Sequence, residues 1–236
     1  DVRGLWIDQK VVIGTINKNS LLIWLAKRLE RISANHASYV STLTGAAYPI
    51  LAKRHPKMTS NHKIVPTCTD LSHFEFKDEL PKDEILLLSG LYNNYYDLEA
   101  TRRFIETFRL QKNLKVIWCH GKEADKERLN VGEDEIKVLT QLEMSYEIQN
   151  SSFGLALCKT NIGVSLTGVM PTKVAEFLAV GRPVVISKGI GDLDALLVKT
   201  KTGVVLQESM ERSIVELLDL LNDPQTPYRC RLLAEQ

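Results

Sequence analysis

From residue 84 onward, short apolar runs alternate with stretches of helical periodicity. Ile85-Leu86-Leu87-Leu88 runs into Ser89-Gly90 and predicts a strand buried on both faces. Across Leu98 to Leu110, Leu98, Ile105 and Phe108 share one helical face, while Arg102, Arg103 and Glu106 lie mostly on the other. Leu114 to Cys119, Phe153 to Cys158, Pro183 to Ser187 and Gly203 to Leu206 continue the strand series. Helices are expected between them, around 143–150, 172–180, 192–199 and 208–222. Strands without polar alternation belong to a parallel sheet covered by helices on both sides. The pattern predicts a doubly wound, Rossmann-like α/β domain.

The first 66 residues follow the pattern less completely. Ser20 to Ile32 reads as helix, Tyr39 to Leu43 as strand, Thr44 to His55 as helix and Lys63 to Val65 as strand. Pro66-Thr67-Cys68-Thr69-Asp70 turns away, and the charged, proline-containing stretch Lys77 to Glu84 reads as a linker. Two or three αβ units are too few for an independent domain, so they read as the rear of a second, incomplete α/β domain. The expected boundaries are 1–67 for that part, 68–222 for the main domain and 223–236 for a helical tail. The chain begins at Asp1 without a Met, which reads as a piece of something longer. No internal repeat or low-complexity tract interrupts it.

Composition removes several function classes. Charged residues make up 25% and hydrophobic ones 44%, the balance of an ordinary globular protein rather than a disordered tail or a membrane bundle. Lys and Arg number 30 against 29 Asp and Glu. A surface for duplex nucleic acid usually carries a clear basic excess, so no nucleic-acid partner is assigned. The longest apolar run, Leu21 to Ala26, falls far short of the roughly 20 residues of a spanning helix. Cys68, Cys119, Cys158 and Cys230 form no Cys-x-x-Cys pair and have no His at ligand spacing, so no metal site is assigned. Reduced thiols of this kind suit the cytoplasm. Of the five histidines only His120 stands at a strand end, before Gly121-Lys122.

The stretch from Lys159 to Gly181 carries most of the candidate chemistry. A strand ends at Cys158, and Thr160, Asn161, Gly163, Ser165, Thr167 and Gly168 form a polar loop. Pro171 then suits the first position of a helix. Ligands of open parallel sheets bind beyond the carboxyl ends of strands, where free helix amides meet anions. Lys173 in the first turn opposes the helix dipole unless an anion compensates it, and a phosphate would do so. Glu176, one turn on, is placed to accept hydrogen bonds from ribose hydroxyls. A solvated Lys173 and a dipole-favoured Glu176 explain the same residues, and both readings stay open.

Other motifs are weaker. Asp192-Leu193-Asp194 has the form of a metal motif, but it follows Gly191 and opens a helix, so Asp192 is expected as its N-cap. Gly189-x-Gly191 lacks the third glycine of a dinucleotide fingerprint, and neither a phosphate loop nor a nucleophile elbow occurs. Ser20 to Ile32 combines Leu21, Leu22, Ile23, Trp24 and Leu25 with Lys27, Arg28 and Arg31. Peripheral contact of 20–32 with an acidic membrane surface explains that pattern, and so does a core-packing helix with a basic edge.

The segment Met170-Pro171-Thr172-Lys173-Val174-Ala175-Glu176-Phe177-Leu178-Ala179-Val180-Gly181-Arg182-Pro183-Val184-Val185 resembles the donor site of family 4 (group 1) glycosyltransferases, which have the GT-B fold. Gly189-Ile190-Gly191-Asp192 and Gly203-Val204-Val205 follow as in that family. Val65 to Phe74 resembles its interdomain crossover, and Leu88-Ser89-Gly90 its first donor-domain strand and glycine loop. Asp1-Val2-Arg3-Gly4-Leu5-Trp6 with Asp8 resembles a motif of the N-terminal domain in a bacterial branch. The resemblance covers nearly the whole chain.

The resemblance implies a retaining transferase that moves a sugar from a nucleoside-diphosphate donor to a glycan or lipid-linked acceptor, with no obligatory cofactor. It gives Lys173 and Glu176 catalytic roles, the latter on the ribose, and makes Gly90, Ser165, Met170, Thr172 and Lys173 the donor and phosphate contacts; Lys159, at a strand end close to the same cleft, reads either as a further phosphate contact or as a polar strand end. Two departures matter. The family's first acidic residue falls at Gly168, and its Arg and Lys pair is not recognisable in Asn93-Asn94-Tyr95-Tyr96-Asp97. The chain alone is expected to bind nucleotide and transfer sugar poorly. The competing readings are a GT-B-fold epimerase and a non-catalytic nucleotide-binding or scaffolding domain.

Overall fold

Short helices and strands in the first 67 residues find their partners close by, and longer apolar strands pair beyond them. The computed structural model describes residues 1–81, 83–89, 95–119 and 134–236. The chain divides into two compact units. The first is formed by Asp1–Thr67 with the segments Thr160–Met170 and Gly189–Asp194, and the second by Cys68–Lys159, Pro171–Lys188 and Ala195–Gln236.

In the first unit, α1 (Trp6–Val12), α2 (Leu21–His36), β1 (Val40–Thr42), α3 (Ala47–Arg54) and β2 (His62–Ile64) follow in order. Ser20 caps α2 by accepting the Ile23 amide, and the helix runs a turn beyond Ile32 because Ser33-Ala34-Asn35 contains no breaker. β1 and β2 pair in parallel, with Val40 opposite His62, and Val2 bridges to Thr42. Leu5, Ile7, Ile23, Val40, Ala47 and Leu51 form the buried apolar set. Two 3-10 turns, Thr160–Gly168, join at Gly163 with φ 61° and ψ −144°, a conformation suited to glycine. Thr44 Oγ1 donates to Thr167 O at 2.7 Å and ties this segment to the end of β1.

Asp192 does not cap the helix that follows it. Its carboxylate accepts the amides of Gly45 and Ala46, the latter at 3.0 Å, and so satisfies free N–H groups ahead of α3. Asp194 takes the amides of Gly189, at 2.7 Å, and Ile190. Both carboxylates therefore serve the backbone, which removes the metal reading of this pair. Among the described residues no group of three or more His, Cys, Asp or Glu is arranged to hold a metal ion.

The second unit holds β3 (Ile85–Ser89), α4 (Leu98–Arg109), β4 (Lys115–Cys119), β5 (Glu135–Lys137), α5 (Gln141–Gln149), β6 (Phe153–Ala156), α6 (Thr172–Ala179), β7 (Val184–Ile186), the body of α7 (Leu193–Thr200), β8 (Gly203–Val205), α8 (Met210–Asn222) and α9 (Thr226–Ala234). All six strands are parallel in the order β5-β4-β3-β6-β7-β8. Counted from the first strand of this sheet the order is 3-2-1-4-5-6, the doubly wound arrangement whose ligand crevice opens where the order reverses. That reversal lies between β3 and β6.

Leu86, Leu88, Val116, Trp118, Phe153 and Leu155 pack against Phe104 and Phe108 of α4 and Ile214 and Leu217 of α8. The Phe108 and Phe153 rings stack at 5.6 Å. α5, α6 and α9 pack together in the other layer. Arg231 of α9 donates to Ala179 O at 2.9 Å, and Cys230 is fully buried, so the last helix belongs to this unit's core. Gly154 sets the spacing between β6 and α6. A Cβ there would lie 2.5 Å from the Phe177 ring, so the glycine lets the helix lie close against the strand.

Candidate functional site

The carboxyl ends of β3 and β6 flank the reversal point of the sheet, and α6 begins there. Pro171 is the N-cap, with extended backbone at φ −62° and ψ 127°, one position earlier than its expected place at the first helical residue. The first-turn amides of Thr172 and Lys173 have no acceptor within the helix, as at every helix start. Thr172 is exposed.

Lys173 is buried at 6% exposure, unusual for a lysine. Its Nζ donates to the Ser89 carbonyl, at the end of β3, at 2.7 Å. The ammonium also sits 3.9 Å from the centroid of the Tyr96 ring, a cation–π contact. The backbone explains the ring's position. Tyr96 forms an antiparallel bridge with Cys158, while the Lys159 amide donates to Tyr95 O and the Asp97 amide to Leu157 O. Asp97 then caps α4 through the Ala100 amide at 2.9 Å. Tyr95, Tyr96 and Asp97 are thereby pinned along the end of β6, which sets the Tyr96 ring over Lys173.

Electrostatics follow from this burial. Desolvation pulls Lys173 down to about 8, opposed by the neighbouring Cys158 and Glu176. Burial moves Glu176 upward, with Lys173 opposing. The Cys158 thiol is pushed up to about 12 by burial, so it is neutral at pH 7. Burial raises the Tyr96 phenol as well. The site thus places a buried cation beside the first-turn amides of a helix. Such an arrangement favours an anion.

Of the residues singled out from sequence, the second unit brings Lys173, Glu176, Thr172 and Lys159 to this end of the sheet. Ser165 and Met170 belong to the first unit. Ser165 is fully buried and spends its hydroxyl on Ile162 O at 2.6 Å, and Met170 closes the segment after the 3-10 turns. Gly90 lies outside the described residues, as do Asn93, Asn94, His120, Gly121 and Lys122. Gly168 has a local physical reason. A Cβ there would stand 3.2 Å from the Leu5 side chain and 3.3 Å from its backbone nitrogen, so any side chain at this position requires Leu5 to give by a few tenths of an ångström. Sequence reasoning missed Tyr96 and the Ser89 carbonyl. The signal for the first was the Tyr95-Tyr96 pair just before the helix cap Asp97.

No family profile matches this chain, and neither does any curated protein. Solved structures do match. WaaG, a glycosyltransferase involved in lipopolysaccharide biosynthesis, superposes with a TM-score of 0.64 at 13% identity over 93% of this chain and 65% of its own. Sucrose-phosphate synthase from Thermosynechococcus elongatus gives 0.67 at 14% identity, over 96% of this chain and 61% of that one. Anabaena Alr3699/HepE, solved with UDP and glucose, gives 0.61 at 12% identity, over 90% of this chain and 62% of its own. The fold is of the GT-B glycosyltransferase type. At these identities the likeness is one of fold, and the chain spans 61% to 65% of the lengths of these three proteins.

Proposed function

We propose that this chain binds a nucleoside-diphosphate sugar and serves the transfer of that sugar to a glycan or lipid-linked acceptor. The observation that carries the proposal is Lys173, a buried cation held at the sheet's reversal point beside the open end of α6. A diphosphate there would meet the amides of Thr172 and Lys173 and the ammonium of Lys173. The same groups would stabilise the charge that develops on the leaving diphosphate, so the reading requires no obligatory metal. Glu176 would accept hydrogen bonds from the ribose, and Lys159 lies at the end of the neighbouring strand as a further phosphate contact. Neighbours of the same fold, one of them solved with UDP and glucose, support the donor class. Retention at the anomeric carbon and a cytoplasmic setting are part of this reading.

The glycine at 168, set tight against Leu5 where the resembled family carries an acidic residue, favours one alternative: a domain that binds nucleotide without transferring sugar. Thermal shift with a panel of nucleoside diphosphates tests the binding that both share. A ligand at 100 times its dissociation constant adds about 2.7 kcal/mol of stability. Stabilisation that Lys173→Ala and Glu176→Ala abolish, in chains that still fold, supports the site. A panel in which no nucleotide stabilises the protein refutes it. Sugar transfer to acceptor then separates the two readings.

A further inference from the structure

A buried ammonium must be stabilised by its surroundings or it gives up its proton. Lys173 is such a group, and two of its contacts share a property. The Ser89 carbonyl, 2.7 Å from Nζ, and the face of the Tyr96 ring, 3.9 Å away at its centroid, both favour the charged form, and neither is an anion. A carboxylate in either place would also steady the ammonium, but it would repel an incoming anion. A carbonyl and a neutral ring leave the positive charge uncancelled for a ligand.

The ring is held where it is from several sides. Besides the backbone links of Tyr95, Tyr96 and Asp97 to the end of β6, the Tyr95 ring meets Tyr96 edge to face, with centroids 5.7 Å apart and planes at 88°. Tyr96 also packs against the apolar core of the sheet. Burial raises its phenol, so at neutral pH the ring presents an uncharged π face. Two titratable groups from other elements face the ammonium as well. Cys158, just beyond β6, stays neutral because burial pushes it up to about 12, and Glu176 lies one turn along α6. All of these residues belong to the second unit.

We propose that Tyr96 is a positioning residue for diphosphate binding at the amino end of α6: its ring keeps the Lys173 ammonium charged and in place without repelling the ligand. The inference rests on the nucleotide reading of that site. A desolvated cation–π contact is strong enough to move a lysine's titration midpoint by about one pH unit. Tyr96→Leu keeps an apolar cover and removes the π face, so the Lys173 midpoint should fall by that amount from about 8. Tyr96→Phe keeps the face and should hold the midpoint. Affinity for a diphosphate follows the protonated fraction. In Tyr96→Leu it should therefore drop about fivefold at pH 8 and about twofold at pH 7, and nearly match the parent at pH 6. Tyr96→Phe should restore it.

Two measurements on the 236-residue chain test this. Carbon-13 NMR of labelled lysine side chains, with Lys173→Met identifying the resonance, reads the midpoint with no nucleotide present. Isothermal titration with UDP, GDP and ADP at pH 6, 7 and 8 reads the affinity. Where Tyr96→Leu fails to fold, pentafluorophenylalanine at position 96 keeps the shape of the ring, reverses its quadrupole and should lower the midpoint in the same way. A midpoint unmoved by loss or reversal of the π face overturns the inference. So does an affinity loss of equal size at pH 6 and pH 8, which is the mark of a misshapen site. A lowered midpoint in a protein whose parent binds none of the three nucleotides upholds the ring's hold on Lys173 and refutes the nucleotide reading instead.

Discussion

Replacing Lys173 by methionine keeps the length of the side chain and removes its charge. Among the described residues the ammonium donates to Ser89 O and rests on the Tyr96 ring, and the variant loses these contacts. It also no longer buries a cation, and the two effects should leave stability within about 1 kcal/mol of the parent. Nucleotide binding should not be spared. A hydrogen bond to a charged partner contributes about 1.5–3 kcal/mol, so the dissociation constant should rise by roughly 10 to 150 times. The pH dependence adds a second readout. Lys173 is lowered from 10.5 to about 8, so it is about nine tenths protonated at pH 7 and about one tenth at pH 9. Parental affinity for a nucleoside diphosphate should therefore fall by up to about tenfold over that interval, while Lys173→Met stays flat. Stability has the opposite sign. Between about pH 8 and 10.5 the unfolded chain holds more protons than the folded one, so parental stability rises across that window, and the variant's does not. Isothermal titration at pH 7 and 9, with urea denaturation across the same range, measures all of this. A Lys173→Met chain that binds nucleotide as tightly as the parent refutes the reasoning.

Three further substitutions probe the scaffold. Gly168→Glu presses a side chain against Leu5, and should cost about 1–3 kcal/mol in urea denaturation rather than supply a working carboxylate. Gly154→Ala drives a methyl into the Phe177 ring, should cost a similar amount, and should weaken nucleotide binding because α6 must move off β6. Asp192→Ala strips the acceptor from the Gly45 and Ala46 amides and should cost about 1–2 kcal/mol, a loss that added divalent cations leave unchanged in a melting assay.

The strands were legible because burial on both faces removes alternation, and Leu86-Leu87-Leu88 or Val184-Val185-Ile186 show this without help from their neighbours. The edge strand Glu135–Lys137 was not, since three residues with one apolar side chain carry no period. Lys173 could be picked out as a cation misplaced at a helix start, a purely local conflict. What it touches could not, because Ser89 and Tyr96 come from other elements, and an antiparallel bridge to Cys158 sets the ring's position. Asp192 shows the same limit from the other side. Local logic made it an N-cap, and amides some 146 residues earlier in the chain claim its carboxylate instead. On α2 the sequence left core packing and surface docking both open. The direction of Ile23 and Glu30 decides which face is outward, and only tertiary contacts fix that.

A nucleoside diphosphate bound at the amino end of α6 is the central claim. An NMR titration of the nitrogen-15-labelled chain with saturating nucleoside diphosphate tests it most directly. The amides of Thr172 and Lys173 should shift most, followed by those around Tyr96 and Lys159. Saturable binding that leaves these amides unmoved and shifts others would contradict it.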